Sequence, residues 1–231
     1  MMLTIVTLAI AYGLGVPLGI IAATHQNRWQ DTGSMLVALV GLAIPNFWLA
    51  LMLILVFSVN LGILPSMGIE DGIFSYILPA VSGCMTCFAT CARQTRSSML
   101  EVIRSDYITT ARSKGVPERE VITKHALKNA LIPIITMFGT SFGTLLGGMM
   151  IIETVFSIPG MGTYIITAVN NRDYPVVQGG TIFLAITFSI CMLIVDLLYA
   201  AVDPRIKAQY TAGSKAKKEK KTEGKEAAAN A

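Results

Sequence analysis

The chain has 231 residues, of which 53% are hydrophobic and only 14% are charged. Soluble domains carry about a quarter charged residues, so this sequence lacks roughly half of the usual charged surface. Residues 205–231 carry a charge balance of +5 and residues 1–204 one of −1, so the net charge of +4 comes from the C-terminal segment. These values exclude a basic nucleic-acid-binding core, a disordered chain and a disulfide-stapled secreted mini-protein. They indicate an integral membrane protein.

Five stretches are predicted to cross the membrane as helices. A transmembrane helix needs about 20 mostly apolar residues. Four stretches meet this requirement clearly. The fifth, 76–92, is richer in Ser, Thr, Cys and Gly, which suits a helix buried among other helices. The sequence therefore predicts an all-α, polytopic bundle of membrane helices. The predicted spans are 1–24, 35–59, 76–92, 131–152 and 176–202.

Basic residues are distributed unevenly among the segments between these spans. The connections 25–31 and 93–130, together with the segment after residue 202, hold 17 of the 18 Lys and Arg residues. By the positive-inside rule these segments face the cytoplasm, so we expect the N-terminus outside and the C-terminus inside. The segment 208–231 is predicted to be a disordered, basic cytoplasmic tail.

The first predicted span starts at Met1 without a preceding positively charged region, so no ordinary signal peptide is recognisable there. A first helix that begins outside, with nothing before it, is an unusual way to start a membrane protein. We therefore expect that a preceding helix is missing from the chain.

Four cysteines lie inside predicted spans, and three of them, Cys84, Cys87 and Cys91, share one helical face. Their position inside the membrane argues against a disulfide framework. A metal site is one interpretation of the cluster. Close helix packing by a small, soft residue is the interpretation we favour.

The connection 93–130 has the pattern of two helices separated by a glycine bend. Ser105 is placed to cap a helix that begins at Asp106, where an acid stabilises the positive end of the helix dipole. Gly115 suits a left-handed terminator, and Pro117 suits the first position of the next helix. The sequence predicts a rigid helix–Gly–helix projection. The alternative is an amphipathic stretch that lies along lipid head groups.

Within this connection, residues 106–115 read DYITTARSKG and residues 125–130 read HALKNA, with Pro133 just downstream. This pattern resembles the EAA loop of ABC importer permeases, in particular the dipeptide/oligopeptide/nickel permease family. Thr109-Thr110-Ala111 stand in the place of Glu-Ala-Ala, and Lys128 stands where the general pattern has proline. In that family the loop docks into a groove of the cytoplasmic ATPase. The resemblance assigns ATPase coupling to Asp106, Tyr107, Thr109, Thr110, Ala111, Arg112, Gly115, His125 and Asn129.

Two further regions carry the same resemblance. Residues 153–162 (ETVFSIPGMG) and 171–179 (NRDYPVVQG) resemble the family's outside loop before its last helix. Residues 196–199 (DLLY) and 203–206 (DPRI) resemble its C-terminal signature. The similarity covers nearly all of the chain up to about Lys207. The family pattern has six spans, and its first helix has no counterpart here.

The resemblance implies a permease subunit of an ATP-driven peptide importer that forms half of the translocation pathway in a prokaryotic inner membrane. Its implied partners are a second homologous permease, two ABC ATPase subunits, an extracytoplasmic substrate-binding protein and the lipid bilayer. The sequence has no Gly-x-x-x-x-Gly-Lys-Ser/Thr motif, so we expect the chain to bind no nucleotide, with ATP and Mg²⁺ on the partner ATPases. The resemblance likewise implies no cofactor, metal site or catalytic residue in this chain.

Several alternatives stay open at this point. A nickel-chelate importer permease of the same family and a truncated, inactive fragment fit the same sequence. A secondary transporter is disfavoured, because such proteins show repeated halves or paired intramembrane acids. An intramembrane enzyme is disfavoured because His25 and His125 both lie at the membrane boundary.

Five residues within the spans are candidates for helix packing or for lining the pathway. Gly139, Gly143 and Gly147 recur every four residues, which permits close contact with a helix of this chain or of a second permease.

Asn46 follows Pro45 and suggests a helix distortion that lines the pathway. Asp196 is the one acid well inside a span, where its charge costs about 3 kcal/mol unless it faces protein or water. A substrate or ion site is one interpretation of Asp196, and a buried polar contact near the cytoplasmic end is the one we favour.

Overall fold

The computed structural model describes residues 2–202, with side chains described as far as Leu197. The predicted tail over 208–231 and residues 203–206 of the C-terminal signature lie outside this range. The described residues form helices and their connections. These are α1 (Met2–Thr24), α2 (Trp29–Ala43), α3 (Asn46–Leu53) with a π-helical extension (Ile54–Asn60), a 3-10 helix (Gly72–Tyr76), α4 (Ile77–Ile103), α5 (Asp106–Ser113), α6 (Glu118–Glu120) with a π-helical segment (Val121–Ala126), α7 (Leu127–Val155), α8 (Met161–Asn170) and α9 (Tyr174–Val202).

The stretch predicted as one span over 35–59 is two helices that meet at an angle of 96°. Pro45 has no N–H to donate, and it forces the preceding residue out of the helical region. Ile44 is accordingly extended, with φ −89° and ψ 121°. The first of the two helices also begins earlier than predicted, at Trp29. The predicted helix distortion is therefore a complete break.

Two predicted boundaries between spans and loops are absent from the structure. The helix predicted over 76–92 continues through charged residues to Ile103. The second helix of the 93–130 connection is not a separate element, because helical structure is continuous from Glu118 to Val155. Pro133 lies inside α7 without ending it.

Among the described residues, four helical stretches are long and apolar enough to cross a membrane, and the bent pair α2–α3 would make a fifth. The four stretches are Met2–Thr24, Gly72–Ile103, Glu118–Val155 and Tyr174–Leu197.

Helices α1 and α4 approach each other closely through small residues. A Cβ atom added to Gly15 would lie 3.0 Å from Cβ of Cys91, and one added to Gly19 would lie 2.5 Å from Cβ of Thr95. Cys84, Cys87 and Cys91 are buried free thiols. Their position in the helix contacts agrees with the packing interpretation of the cluster.

Two apolar cores lie at opposite ends of the bundle. One contains Ala23, Met99 and Ile108, so it joins the ends of α1 and α4 to α5. The other joins the start of α1 to the end of α7 and includes Phe156, whose carbonyl oxygen accepts a hydrogen bond from Gly68 N–H at 2.9 Å. The connections 25–31 and 93–130 therefore share one end of the bundle, and the connections 61–71 and 156–173 share the other.

Candidate functional site

Helix α5 begins and ends where local sequence rules predicted. Gly115 has a φ of +78°. The N–H groups of Gly115 and Val116 donate to the carbonyl oxygens of Arg112 and Ala111 at 2.9 and 3.3 Å, which completes a Schellman motif.

At the other end of α5 the predicted cap is wrong, because the Ser105 hydroxyl donates to Val102 O at 2.6 Å and makes no capping hydrogen bond. The second helix begins at Glu118, one residue after Pro117.

Three contacts fix α5 against the beginning of the continuous helix that leads into α7. The Ile108 side chain is fully buried in the core at this end of the bundle. Asn129 Nδ2 donates to Tyr107 Oη at 2.7 Å. Arg112 donates through Nη2 and Nε to the two carboxylate oxygens of Glu118, at 2.7 and 3.1 Å. This ion pair lowers the pKa of Glu118 below its usual value.

The structure brings Tyr107 and Asn129 together, and it leaves most of the other predicted loop residues at the surface. Ala111 is half-buried, and the rest do not join a common cluster. The exposed loop residues are Asp106, Thr109, Thr110, Arg112, Gly115 and His125.

A cleft of about 330 Å³ opens between α3, α4 and α7. None of the described residues that line it is charged, and the threonines among them are exposed in this chain. Polar groups at this depth of apolar helices are found where they face protein or water and not acyl chains. The lining residues are Asn46, Gly83, Thr86, Cys87, Thr90, Met137, Thr140, Ser141, Thr144, Leu145, Gly148, Met149 and Ile152.

Asn46 lies at this cleft, and its Oδ1 accepts a hydrogen bond from Thr86 Oγ1 at 3.0 Å.

The predicted glycine stripe of α7 divides between two environments. A Cβ atom at Gly139 would lie 2.9 Å from Sδ of Met192, and one at Gly143 would collide with the Phe188 ring, so both glycines pack against α9. A Cβ atom at Gly147 would meet no atom within 4 Å among the described residues.

Asp196 makes no buried polar contact with the side chains that the structure describes. Its side chain is exposed on α9, although the neighbouring Val195 is buried. The face of α9 that carries Asp196 is turned away from the described helices. Its charge therefore needs a partner, lipid head groups or water beyond this part of the chain.

Sequence reasoning missed Glu153, which is buried at the opposite end of α7 from α5. Its Oε2 accepts hydrogen bonds from the N–H groups of Gly162 and Thr163, at 2.8 and 3.2 Å. The carboxylate therefore caps the N-terminus of α8, where the helix dipole favours a negative charge. A signal was present, because this acid ends an apolar span and precedes the Pro159-Gly160 turn before α8.

Sequence reasoning also missed the ion pair between Asp31 and Arg96. Arg96 Nε and Nη2 donate to Asp31 Oδ1 and Oδ2 at 2.5 and 2.7 Å. The Asn27 N–H donates to Asp31 Oδ2 at 3.0 Å. Since only 6% of the Asp31 side chain is exposed, this pair firmly joins the first turn of α2 to α4.

Comparisons with known proteins agree with this architecture. Over 87% of this chain and 91% of the other, the structure matches a chain from inward-facing conformations of the MetNI methionine ABC transporter, with a TM-score of 0.73 and 19% identity. This match confirms the predicted fold class, an ABC importer permease-like helix bundle.

Two curated relatives are each 45% identical to the chain. One is the dipeptide transport system permease protein DppB of Alkalihalophilus pseudofirmus, aligned over 89% of this chain and 70% of that protein. The other is the glutathione transport system permease protein GsiC of Escherichia coli (strain K12), aligned over 89% of this chain and 67% of that protein. Residues 15–208 match the family described as "Binding-protein-dependent transport system inner membrane component". The chain is therefore a member of this family of inner membrane transport components.

Proposed function

We propose that the chain is the permease subunit of an ATP-driven peptide importer. In this proposal it forms one half of the translocation pathway and couples to ATPase subunits through residues 105–115. As a member of its family the chain is a non-catalytic membrane component, and ATP hydrolysis takes place on separate subunits. The dipeptide and glutathione permeases that resemble it support a peptide as cargo.

The observation that carries this proposal is the polar face along two neighbouring apolar helices. Thr140 and Thr144 lie one turn apart on α7, and Thr86 and Thr90 lie one turn apart on α4. All four are exposed and line the cleft. A second permease that covers this face would enclose a polar route, because neither subunit alone shields it from lipid.

The geometry of α5 supports the coupling part of the proposal. Tyr107, Thr109 and Thr110 stay exposed, while Ile108 anchors the helix to the bundle. The continuous helix Glu118–Val155, to which α5 is fixed, also lines the cleft. A displacement of α5 by an ATPase would therefore reach the cleft through this continuous helix.

The charge distribution supports a cytoplasmic position for α5. The connections 25–31 and 93–130, which share one end of the bundle, contain nine of the ten basic residues among residues 1–204. The ATPase partners and the C-terminus then lie on that side, and an external binding protein meets the end that carries α8.

The test is reconstitution of the chain with its second permease, ATPase subunits and binding protein in liposomes. We expect ATP-dependent uptake of labelled di- or tripeptides, and stimulation of ATP hydrolysis when the loaded binding protein is added. An assembled complex that hydrolyses ATP but takes up only a nickel chelate, or takes up nothing, would overturn the proposal.

A further inference from the structure

We propose that the cleft binds the main chain of its cargo through threonine oxygens that act as hydrogen-bond acceptors, and that it does not select cargo side chains by charge. This inference rests on the proposed function, because it takes the cleft to be part of a peptide pathway. It specifies which groups of the peptide the permease itself recognises.

The hydroxyl protons of three cleft threonines are directed at their own helices. Thr140 Oγ1 donates to Met137 O at 3.0 Å, and Thr144 Oγ1 donates to Thr140 O at 3.1 Å. Thr90 Oγ1 donates to Thr86 O at 2.8 Å and is 3.0 Å from Cys87 O. A hydroxyl has one proton and two acceptor lone pairs. With each proton directed at its own helix, these threonine oxygens can take part in a further hydrogen bond only as acceptors.

The complementary group on a peptide cargo is the main-chain N–H. These threonine oxygens, the acceptor wall, pair with N–H groups and themselves offer no donor to a carboxylate. The main-chain N–H groups at alternate residues of an extended peptide lie about 7 Å apart on one side. Oxygens one turn apart on a helix, as on Thr140 and Thr144, are separated by about 6 Å along the axis. The two spacings match closely enough for one extended strand to use both acceptors.

Asn46 adds a hydrogen-bond donor to the cleft. The Asn46 Oδ1 accepts from Thr86 Oγ1, which leaves its Nδ2 as a donor at the α3 side of the cleft. A donor beside several acceptors is the complement of a peptide main chain, which alternates N–H and C=O groups. Among the residues that the structure describes, those lining the cleft are uncharged, so they cannot distinguish acidic from basic side chains by an ion pair.

The experiment compares uptake of a tripeptide with uptake of the same tripeptide N-methylated at its central amide. The complex is reconstituted with wild-type chain or with Thr140→Val/Thr144→Val, variants of similar shape that remove both acceptors. For the unmodified peptide we expect kcat/KM to fall about tenfold, because buried N–H groups are left without acceptors. The preference over the N-methylated peptide should shrink by a similar factor. The binding protein is identical throughout, so its own preference cancels.

Two matched controls and a second variant sharpen the test. Thr187→Val removes a hydroxyl that donates to Phe183 O at 2.8 Å on α9, outside the cleft, and should leave uptake unchanged. Thr140→Ser/Thr144→Ser keeps both acceptors and should restore uptake and preference. Thr90→Val tests the same prediction on α4, should the double variant fail to assemble.

The outcomes separate the two proposals. If wild-type complex transports peptides and the valine variants keep the wild-type preference against N-methylation, the acceptor wall is refuted while the proposed function stands. A changed preference between acidic and basic tripeptides in the valine variants would also contradict it. If the active, assembled wild-type complex transports no peptide, the proposed function fails and this inference fails with it.

Discussion

Gly115 is the residue at which backbone conformation and the proposed coupling meet. Its φ of +78° lies in the left-handed region, which a β-branched residue adopts only at a penalty of about 1–3 kcal/mol. In Gly115→Val we expect the turn to rearrange and α5 to lose its position. Membrane insertion should be normal, and stimulation of ATP hydrolysis by the loaded binding protein should be abolished. Gly115→Asn is the control, because Asn tolerates this conformation. Normal stimulation in the valine variant would refute the coupling role.

Substitutions of Glu153 and Gly160 should have non-additive effects on the free energy of unfolding. A Cβ atom at Gly160 would overlap the Glu153 carboxylate, so Gly160→Ala should displace the cap of α8. Glu153→Ala leaves the N–H groups of Gly162 and Thr163 unpaired and should destabilise the protein by about 2 kcal/mol. In the double variant the obstructing carboxylate is gone, so Gly160→Ala should have little further effect. Thermal unfolding of the four proteins in detergent gives the cycle, and strict additivity would contradict the contact.

Local sequence rules predicted the ends of α5 but not the contacts of Ser105. The preference of Gly115 for a left-handed conformation is a property of the residue, so its position could be read from the sequence. The Ser105 hydroxyl had two competing partners, the first turn of α5 and the carbonyl of Val102 at the end of α4. Sequence reasoning did not foresee the second partner, because the helix predicted over 76–92 was expected to end before Arg93.

At the scale of the elements, the predicted helix ends were wrong where charged residues were taken to mark the start of a loop. Arg93, Arg96 and Glu101 marked the end of a span in the hydropathy pattern, yet α4 continues through them to Ile103. Charged side chains are compatible with a helix that leaves the apolar layer, provided that its other face stays buried. Helix α4 meets that condition, because Met99 on its other face is fully buried against α5 and its neighbours. Hydropathy therefore located the apolar part of the helix and not its length.

The ion pair between α2 and α4 gives a prediction at this scale. Asp31→Asn leaves the partly buried Arg96 without its anion, and we expect a loss of about 3 kcal/mol in the free energy of unfolding. Glu118→Gln is the matched control. It breaks the Arg112 pair, whose carboxylate side chain is 60% exposed, and should change stability by less than about 1 kcal/mol. Denaturation of the detergent-solubilised variants provides the measurement. If Asp31→Asn lowered the free energy of unfolding by no more than Glu118→Gln does, the Asp31 pair would not be structurally important.

At the scale of the molecule, the continuous helix Glu118–Val155 connects three regions that are separate in the sequence. It holds α5 at one end, lines the cleft in its middle and carries Glu153, the cap of α8, at the other end. The resemblance of the loop sequences identified the two ends, but the cleft depends on which faces of α3, α4 and α7 meet. That arrangement follows from long-range packing, so single-helix patterns such as the glycine stripe predicted it only in part.

The orientation of the whole molecule yields the last prediction. Eight basic residues in 93–130 should keep that connection on the cytoplasmic side, because translocating them across the membrane is unfavourable. We expect Ser113→Cys to react with a membrane-impermeant maleimide only after cells are permeabilised, and Asn171→Cys to react in intact cells. Both positions are exposed, whereas Cys84, Cys87 and Cys91 are buried and Cys191 is half-buried, so the unsubstituted chain measures the background labelling. Labelling of Ser113→Cys in intact cells would place α5 outside, where no cytoplasmic ATPase could contact it.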